Sequence, residues 1–333
     1  MNIIEPQHNS VLIGHDAAMG QIVDAFNSNR MPQAWLIHGI EGIGKATFAY
    51  HAANFVLSEG KNIPGKFNPE HPVARLIAAE SHPDLFVLRR PVDEKTGSMK
   101  GSISAEDSRK VAPFLHMTAT QGTWRVAIID EAHTLNRHGQ NSILKVIEEP
   151  PAHCLILITA TTPGALLPTV RSRCRVLPLQ PLTPIAMQTI LARLGADEKL
   201  DEECLSRIVQ LSGGSVGFAL KMLATESLPL YDEMLNLLRA MPALDMERLH
   251  ALADRISRKA DADSFDVITR LLIDKLRINA KTVALEPGSG GQLDRTVQLW
   301  EKVGQVFRMA EQSNLDKKLA FINAFMEIRR ATA

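Results

Sequence analysis

Residues 39–45 read Gly-Ile-Glu-Gly-Ile-Gly-Lys and stand between an apolar run that predicts a β-strand and a segment that predicts an α-helix. This strand–loop–helix context is what a phosphate-binding loop requires. Its glycines let backbone N–H groups turn inward, and the helix N-terminus adds positive potential for phosphate oxygens. The lysine would reach the terminal phosphates. We therefore predict that four loop residues bind a nucleotide: Gly39, Gly42, Gly44 and Lys45.

The residue after this lysine departs from the usual pattern. A phosphate-binding loop normally continues with Ser or Thr, whose hydroxyl binds Mg²⁺. Here that position is Ala46, and Thr47 comes one residue late. One residue along a helix turns the side chain by about 100°. We keep Thr47 as a candidate nucleotide-binding residue, but we expect ATP and Mg²⁺ to bind weakly or not at all, and hydrolysis to be slow.

Two carboxylates, Asp130 and Glu131, end another apolar run. In P-loop ATPases the first acid holds the hydration shell of the metal and the second polarises the attacking water. Thr161 follows the next apolar run, where a residue that senses the γ-phosphate belongs, although polar residues at strand ends often only cap loops. We predict that Asp130 and Glu131 are a catalytic pair or its vestige, and we leave the role of Thr161 open.

The first half of the chain alternates short apolar runs with helix-like segments, which is typical of a parallel sheet with crossover helices. Five runs predict strands: residues 34–38, 85–88, 125–130, 155–160 and 175–179. A helix is predicted at residues 105–116, and only helix patterns follow residue 180. We predict an α/β P-loop domain (1–180), a small three-helix domain (181–227) and an all-α C-terminal domain (228–333).

The overall charge limits the classes of function. Lys plus Arg and Asp plus Glu number 37 each, so the formal net charge is zero. A protein that holds DNA alone usually has a basic excess. The three cysteines form no C-x-x-C pair, so we expect neither zinc nor any other metal site and no disulfide framework. The longest apolar run is too short to cross a membrane, so we expect a cytoplasmic protein without membrane partners.

Residues 130–151, Asp-Glu-Ala-His-Thr-Leu-Asn-Arg-His-Gly-Gln-Asn-Ser-Ile-Leu-Lys-Val-Ile-Glu-Glu-Pro-Pro, resemble the Walker B segment and following helix of bacterial DNA polymerase III clamp-loader subunits, which are AAA+ proteins. Residues 172–174, Ser-Arg-Cys, match a motif of the same family, and residues 212–220 resemble its sensor-2 segment. The resemblance covers residues 12–225. It implies that the helical domains are the lid and the oligomerising collar of a clamp-loader subunit.

The family contains an active motor type, gamma/tau, which typically has a complete Gly-Lys-Thr/Ser loop, a four-cysteine zinc module and a sensor-2 arginine. This chain has Ala46 in the loop, no cysteine before Cys154, and Phe218 at the aligned arginine position. Residues 81–85 and 124–125 are similar to the delta-prime type. Some delta-prime relatives carry the zinc module, so its absence departs from those members. The departures together favour the delta-prime type.

The resemblance implies that Arg173 is an arginine finger, acting in trans on the nucleotide of an adjacent subunit. Arg171, Arg173 and Arg175 alternate, and on an extended segment they would share one face. The implied partners are the gamma/tau and delta subunits, the sliding clamp, and primer-template DNA as part of the complex. The complex belongs to a DNA-directed DNA polymerase holoenzyme, but no residue here predicts that this chain itself polymerises DNA.

Two other functions stay open on the sequence. The chain could be an autonomous ATPase motor of the gamma/tau type, which a hydrolysis assay on the purified chain would test. It could also be a stand-alone DNA-acting ATPase or helicase. Charge neutrality and the lack of a second nucleotide-binding lobe argue against this last possibility.

Overall fold

The computed structural model describes residues 4–91, 101–196, 200–258, 262–286, 290–312 and 315–332. Five parallel strands form its sheet: β1 (Ala34–His38), β2 (Leu85–Leu88), β3 (Arg125–Ile129), β4 (Cys154–Ala160) and β5 (Arg175–Pro178). Their order across the sheet is β2-β3-β4-β1-β5. The predicted α/β fold with a five-stranded parallel sheet is confirmed, and each strand lies within one residue of its predicted ends.

Helices precede, connect and follow these strands. They are α1 (Asp16–Asn27), α2 (Lys45–Leu57), α3 (Pro72–Ala78), α4 (Ala105–Ser108), α5 (Val111–His116), α6 (Arg137–Glu148), α7 (Pro168–Arg171) and α8 (Pro184–Arg193). Alternate strand residues point to opposite faces. Trp35 and Ile37 of β1 join the core beneath α1 and α2. Leu36 joins the core beneath α5 and α6. Burial on both faces explains why the central strands β1, β3 and β4 are mostly apolar.

The helix predicted at residues 105–116 is wrong, because the chain forms two short helices there, α4 and α5. Ser104 caps the first by accepting the backbone N–H of Asp107. Pro113 lies in the second. A proline inside a helix lacks the N–H that would bond four residues back, and its ring clashes with that carbonyl group. The break before α5 therefore places Pro113 in a first helical turn.

The chain divides into two compact units, Met1–Glu198 with Gly213–Gly217, and Lys199–Ser212 with Phe218–Ala333. The described part of the second unit is all helical, as predicted for the C-terminal region. Its helices are α9 (Glu202–Leu211), α10 (Val216–Ala224, mostly in this unit), α11 (Ser227–Arg239), α12 (Met246–Ile256), α13 (Ala262–Ala284), α14 (Gly290–Gln312) and α15 (Lys317–Thr332). The three domains with boundaries at residues 180 and 227 stay a prediction.

Candidate functional site

The predicted phosphate-binding loop lies between β1 and α2, and Lys45 is the first residue of α2. Gly42 and Gly44 have φ angles of 74° and 103°, which glycine adopts at no steric cost. The Lys45 ammonium donates hydrogen bonds to the carbonyl oxygens of Gly39 (3.0 Å) and Ile40 (2.9 Å). The loop's own backbone therefore takes up two donors of the group that would hold a nucleotide's terminal phosphates.

Lys45 lies in a buried and electrostatically balanced environment. Only 8% of the residue is exposed. Burial lowers the pKa of its ammonium, and the carboxylates of Asp130, Glu41 and Glu131 oppose that shift. The fold thus brings Lys45 close to Asp130 and Glu131.

One segment distant in the chain, Gly213–Gly217, braces the loop. The Ser215 hydroxyl donates to the carbonyl oxygen of Glu41 at 2.6 Å. The backbone N–H of Gly217 donates to the carbonyl oxygen of Gly42 at 2.8 Å. A Cβ atom on Gly217 would lie 2.8 Å from the Gly42 Cα. Because backbone meets backbone, only glycine fits at this contact. Ser215 and Gly217 belong to the predicted sensor-2 segment, but the sequence did not predict that they lock the loop.

His15 supports the same loop from another direction. Its Nε2 donates to the carbonyl oxygen of Ile43 at 3.0 Å. The ring is buried, and burial lowers its pKa. Sequence reasoning missed this residue, since a lone histidine before a helix carries no nucleotide-site signal. The loop is therefore fixed by side-chain and backbone contacts from residues far apart in the chain.

Asp130 and Glu131 directly follow β3, at the carboxyl edge of the sheet. The Thr159 hydroxyl donates to Asp130 Oδ1 at 2.6 Å and accepts the backbone N–H of Glu131 at 2.8 Å. Burial raises the pKa of Asp130, while the hydrogen bond from Thr159 opposes that shift. The structure therefore gives Asp130 a partner that the sequence did not predict.

Thr159 could have been found from its position. It is a fully buried polar residue in the otherwise apolar strand β4, which is hydrogen-bonded to β3. Thr161, the residue that we predicted here, follows the end of β4 and is partly buried. Its role as a γ-phosphate sensor stays a prediction.

Glu131 is held by an arginine from the neighbouring strand's end. Arg90 Nε donates to Glu131 Oε2 at 2.6 Å, with 27% and 33% of the two side chains exposed. Glu131 also has a φ angle of 51°, an uncommon value for a residue other than glycine. Backbone strain of this kind persists where surrounding contacts determine the conformation. Arg90 thus occupies the carboxylate that would polarise an attacking water.

The loop lacks one group that the hydrolysis of a bound nucleotide normally uses. Ala46, in the first turn of α2, offers no oxygen for the metal, and Thr47 beside it is only partly buried. Lys45 and Glu131 already have partners in their own chain. Among the described residues, no group of three or more His, Cys, Asp or Glu side chains could hold a metal ion.

Arg173 follows the short helix α7 and precedes β5. Its side chain is 40% exposed and forms an ion pair with Glu148 at 3.0 Å. The expectation that Arg171, Arg173 and Arg175 share one extended face is wrong. Arg171 ends α7, and the backbone N–H of Cys174 closes a turn onto the Arg171 carbonyl. Pro168 begins this helical turn, because proline's fixed φ suits a first helical position.

Arg173 and the phosphate-binding loop lie at opposite edges of the sheet. β5 pairs with β1 in parallel, with Arg175 opposite Trp35 and Pro178 opposite His38. The loop therefore follows the carboxyl end of β1, whereas Arg173 lies beyond the amino end of β5. Four strand residues at about 3.3 Å each separate these ends by roughly 13 Å. Arg173 therefore lies at the opposite end of the strands from the chain's own phosphate-binding loop.

Phe218, at the position aligned with the sensor-2 arginine, is a core residue of the second unit. It is 3% exposed, and the Arg270 guanidinium lies 3.9 Å from the centre of its ring. A phenyl ring in this setting offers no charge to a phosphate.

Among the residues that the structure covers, no helix is both long and apolar enough to cross a bilayer.

A family model described as DNA polymerase III, delta subunit, matches residues 14–183, just over half of the chain. DNA polymerase III subunit delta' of Pseudomonas aeruginosa is 35% identical over 186 residues, which cover 55% of this chain and 53% of that protein. The gamma/tau subunit of Mycobacterium tuberculosis strain H37Rv is 26% identical over 262 residues, which cover 78% and 44%.

The chain spans about half the length of these curated relatives. Among solved structures, a DNA polymerase III gamma subunit-related protein of Thermotoga maritima covers 94% of this chain, at 17% sequence identity and a TM-score of 0.47.

Proposed function

The chain belongs to the family described as DNA polymerase III, delta subunit, and on this basis we propose that it is a clamp-loader subunit of the delta-prime type. In this role it supports ATP-dependent loading of the sliding clamp onto primed DNA. Its partners are the gamma/tau-type and delta-type subunits of the loader, and it contacts clamp and primer-template DNA as part of the complex.

The first part of the proposal is that the chain hydrolyses ATP negligibly by itself. Lys45 is bonded to loop carbonyl oxygens, Glu131 is paired with Arg90, and Ala46 lacks the metal-binding hydroxyl. Each of these groups would have to change partner or identity for efficient hydrolysis. Phe218 in place of a sensor-2 arginine supports the same view. The loop amides can still bind a nucleotide, but weakly.

The second part is that Arg173 acts on a neighbouring subunit's nucleotide. A guanidinium delivered in trans neutralises charge on the γ-phosphate in the transition state and is worth about 10³–10⁵ in rate. The observation that carries this proposal is the position of Arg173 at the sheet edge opposite to its own loop. An exposed arginine there serves a site outside the chain better than the site within it.

The test compares the chain alone with the assembled complex. Steady-state ATP hydrolysis is measured for the purified chain, for the gamma/tau and delta subunits together, and for all three. We expect no measurable turnover from the chain alone, and a DNA-stimulated rate that requires it in the mixture. A pull-down on the same samples reports assembly. Rapid hydrolysis by the chain alone, or failure to join the complex, would contradict the proposal.

A second candidate is an autonomous motor of the gamma/tau type. The observation that favours it is the electrostatic coupling of Lys45 to Asp130 and Glu131, which is the arrangement an active site needs. Gamma/tau relatives also match a longer part of the chain than the Pseudomonas delta' subunit does. The hydrolysis assay on the isolated chain separates the two candidates.

A further inference from the structure

The guanidinium of Arg173 is folded back onto its own chain. Nη1 donates to the Thr169 carbonyl oxygen at 3.0 Å and approaches the Ser172 hydroxyl at 3.4 Å. Nη2 forms the ion pair with Glu148 Oε1, also at 3.0 Å. Two of these partners lie within four residues of Arg173, whereas Glu148 comes from another element. Glu148 is therefore the contact that ties the guanidinium to the body of the domain.

Glu148 is placed where a helix does not favour a negative charge. It is the last residue of α6, and Glu149 follows it as the C-cap. The carboxyl end of a helix carries partial negative charge, which stabilises cations rather than carboxylates. Two acids at this end do not serve the stability of α6, and the first of them contacts Arg173. The arrangement suits a carboxylate whose purpose is to attract the arginine.

The topology brings these two residues together. α6 leaves the carboxyl end of β3 and returns to the amino end of β4, so Glu148 lies near the amino edge of the sheet. Arg173 precedes β5 at that same edge. The ion pair between Arg173 and Glu148 is thus remote from the chain's own phosphate-binding loop.

The strength of this contact suits an exchangeable one. The two side chains are 40% and 42% exposed, and exposed ion pairs shift an equilibrium by only about 1.4- to 5-fold. A triphosphate offers several charged oxygens, and guanidinium binds such groups in a bidentate manner. A phosphate presented by a neighbouring subunit would therefore displace the carboxylate.

We propose that Glu148 is a positioning residue that holds the Arg173 guanidinium in a retracted place until the triphosphate of an adjacent subunit competes for it. This proposal rests on the trans role of Arg173 proposed above. Before exchange, the carboxylate keeps the guanidinium close to its own chain. During exchange, Nη2 loses Glu148 and gains a phosphate oxygen, and no covalent bond changes.

The test uses the assembled loader with Glu148→Gln in this chain. The amide keeps the shape of the side chain but removes its charge, so the guanidinium is released more readily. We expect kcat for DNA-stimulated ATP hydrolysis to rise about 2- to 5-fold. Glu149→Gln makes the same charge change one residue away and is the matched control, with an expected rate equal to that of the wild type.

Two further measurements separate positioning from a merely structural effect. Since salt screens exposed charges, the advantage of Glu148→Gln should shrink as ionic strength rises from about 0.05 to 0.5 M. In an Arg173→Ala background, Glu148→Gln should have no effect, because it acts only through the arginine. A merely structural role would survive both conditions.

The outcomes distinguish the two proposals. A large loss of rate in Arg173→Ala together with equal rates for Glu148→Gln and Glu149→Gln would overturn the positioning role and leave the trans arginine intact. An effect of Glu148→Gln that persists without Arg173 would overturn it as well. An unchanged rate in Arg173→Ala would remove the arginine finger, and the positioning role with it.

Discussion

The phosphate-binding loop and the segment around Arg173 each carry a basic side chain, but they use it in opposite ways. Lys45 is 8% exposed and bonded to the backbone of its own loop, which Ser215, Gly217 and His15 hold in place. Arg173 is 40% exposed and has one exchangeable ion pair. One basic side chain is thus buried within its own loop, whereas the other lies at the surface.

The physical basis of this difference is the cost of moving each group. Lys45, His15 and Ser215 are buried residues, and a buried polar group that loses its partner costs about 1–3 kcal/mol. The contact of Arg173 with Glu148 is exposed to water, so water replaces a lost partner at little cost. The loop is therefore expected to resist rearrangement, whereas Arg173 is expected to exchange partners.

The largest expected effect is that of Arg173→Ala in the assembled loader. It should lower DNA-stimulated ATP hydrolysis by about 10³-fold or more, because the transition state loses a guanidinium at the γ-phosphate. Assembly, measured by gel filtration, should be unchanged. Arg175→Ala is the control, since Arg175 lies over the Trp35 ring and is not assigned to the finger. Equal rates for both variants would contradict the role of Arg173 at a neighbouring subunit's nucleotide.

The stability of the folded chain should depend on pH through His51, a buried residue of α2. Burial lowers the pKa of His51 to about 4, and its Nε2 donates to the Asn9 carbonyl oxygen. Between about pH 6.5 and 4 the unfolded chain binds a proton that the folded chain excludes. Stability is therefore complete above pH 6.5 and falls as the pH decreases, by about 2 kcal/mol at pH 5 from this residue.

His51→Gln should remove this part of the pH dependence while its amide can still donate to Asn9. The measurement is the free energy of unfolding by urea at pH 7 and pH 5, for wild type and variant. His116→Gln, at an exposed position, is the control and should leave the pH dependence unchanged. A pH dependence in His51→Gln that equals that of the wild type would show that His51 is not held neutral.

Gly217→Ala tests the brace on the loop. Its Cβ would lie 2.8 Å from the Gly42 backbone, so one of the two segments must move. We expect a loss of about 1–3 kcal/mol in the free energy of unfolding. Gly164→Ala is the control, since a Cβ there meets nothing within 4 Å. If both variants are as stable as the wild type, the loop is not locked by backbone contact.

The smallest expected effect is that of Ala46→Thr on the isolated chain. The restored hydroxyl should raise trace ATP hydrolysis up to about fivefold, equivalent to about 1 kcal/mol. A larger gain is not expected while Arg90 holds Glu131. Valine has the shape of threonine without its hydroxyl, so Ala46→Val should give no gain in ATP hydrolysis. A robust rate from the wild-type chain itself would show that Ala46 does not limit hydrolysis.

The sequence predicted the sheet well, because the central strands β1, β3 and β4 are short, mostly apolar runs buried on both faces, and such runs are recognised without knowledge of their partners. In the structure Lys45 lies near Asp130 and Glu131, because a loop after β1 and acids after β3 lie at the same end of a parallel sheet. The prediction of one helix at residues 105–116 was wrong, because Pro113 is accommodated by a break before α5 that apolar periodicity does not reveal.

The amino-acid sequence by itself determined the P-loop fold, the all-helical C-terminal region, the missing hydroxyl at Ala46 and the candidacy of Arg173. Only the tertiary structure decided which groups are occupied: Glu131 by Arg90, Asp130 by Thr159, the loop by Ser215, and Arg173 by Glu148. The physical reason is range. Apolar runs, glycines and prolines act on the neighbouring backbone, whereas these partners are 25 to 174 positions apart and meet only after the sheet has formed.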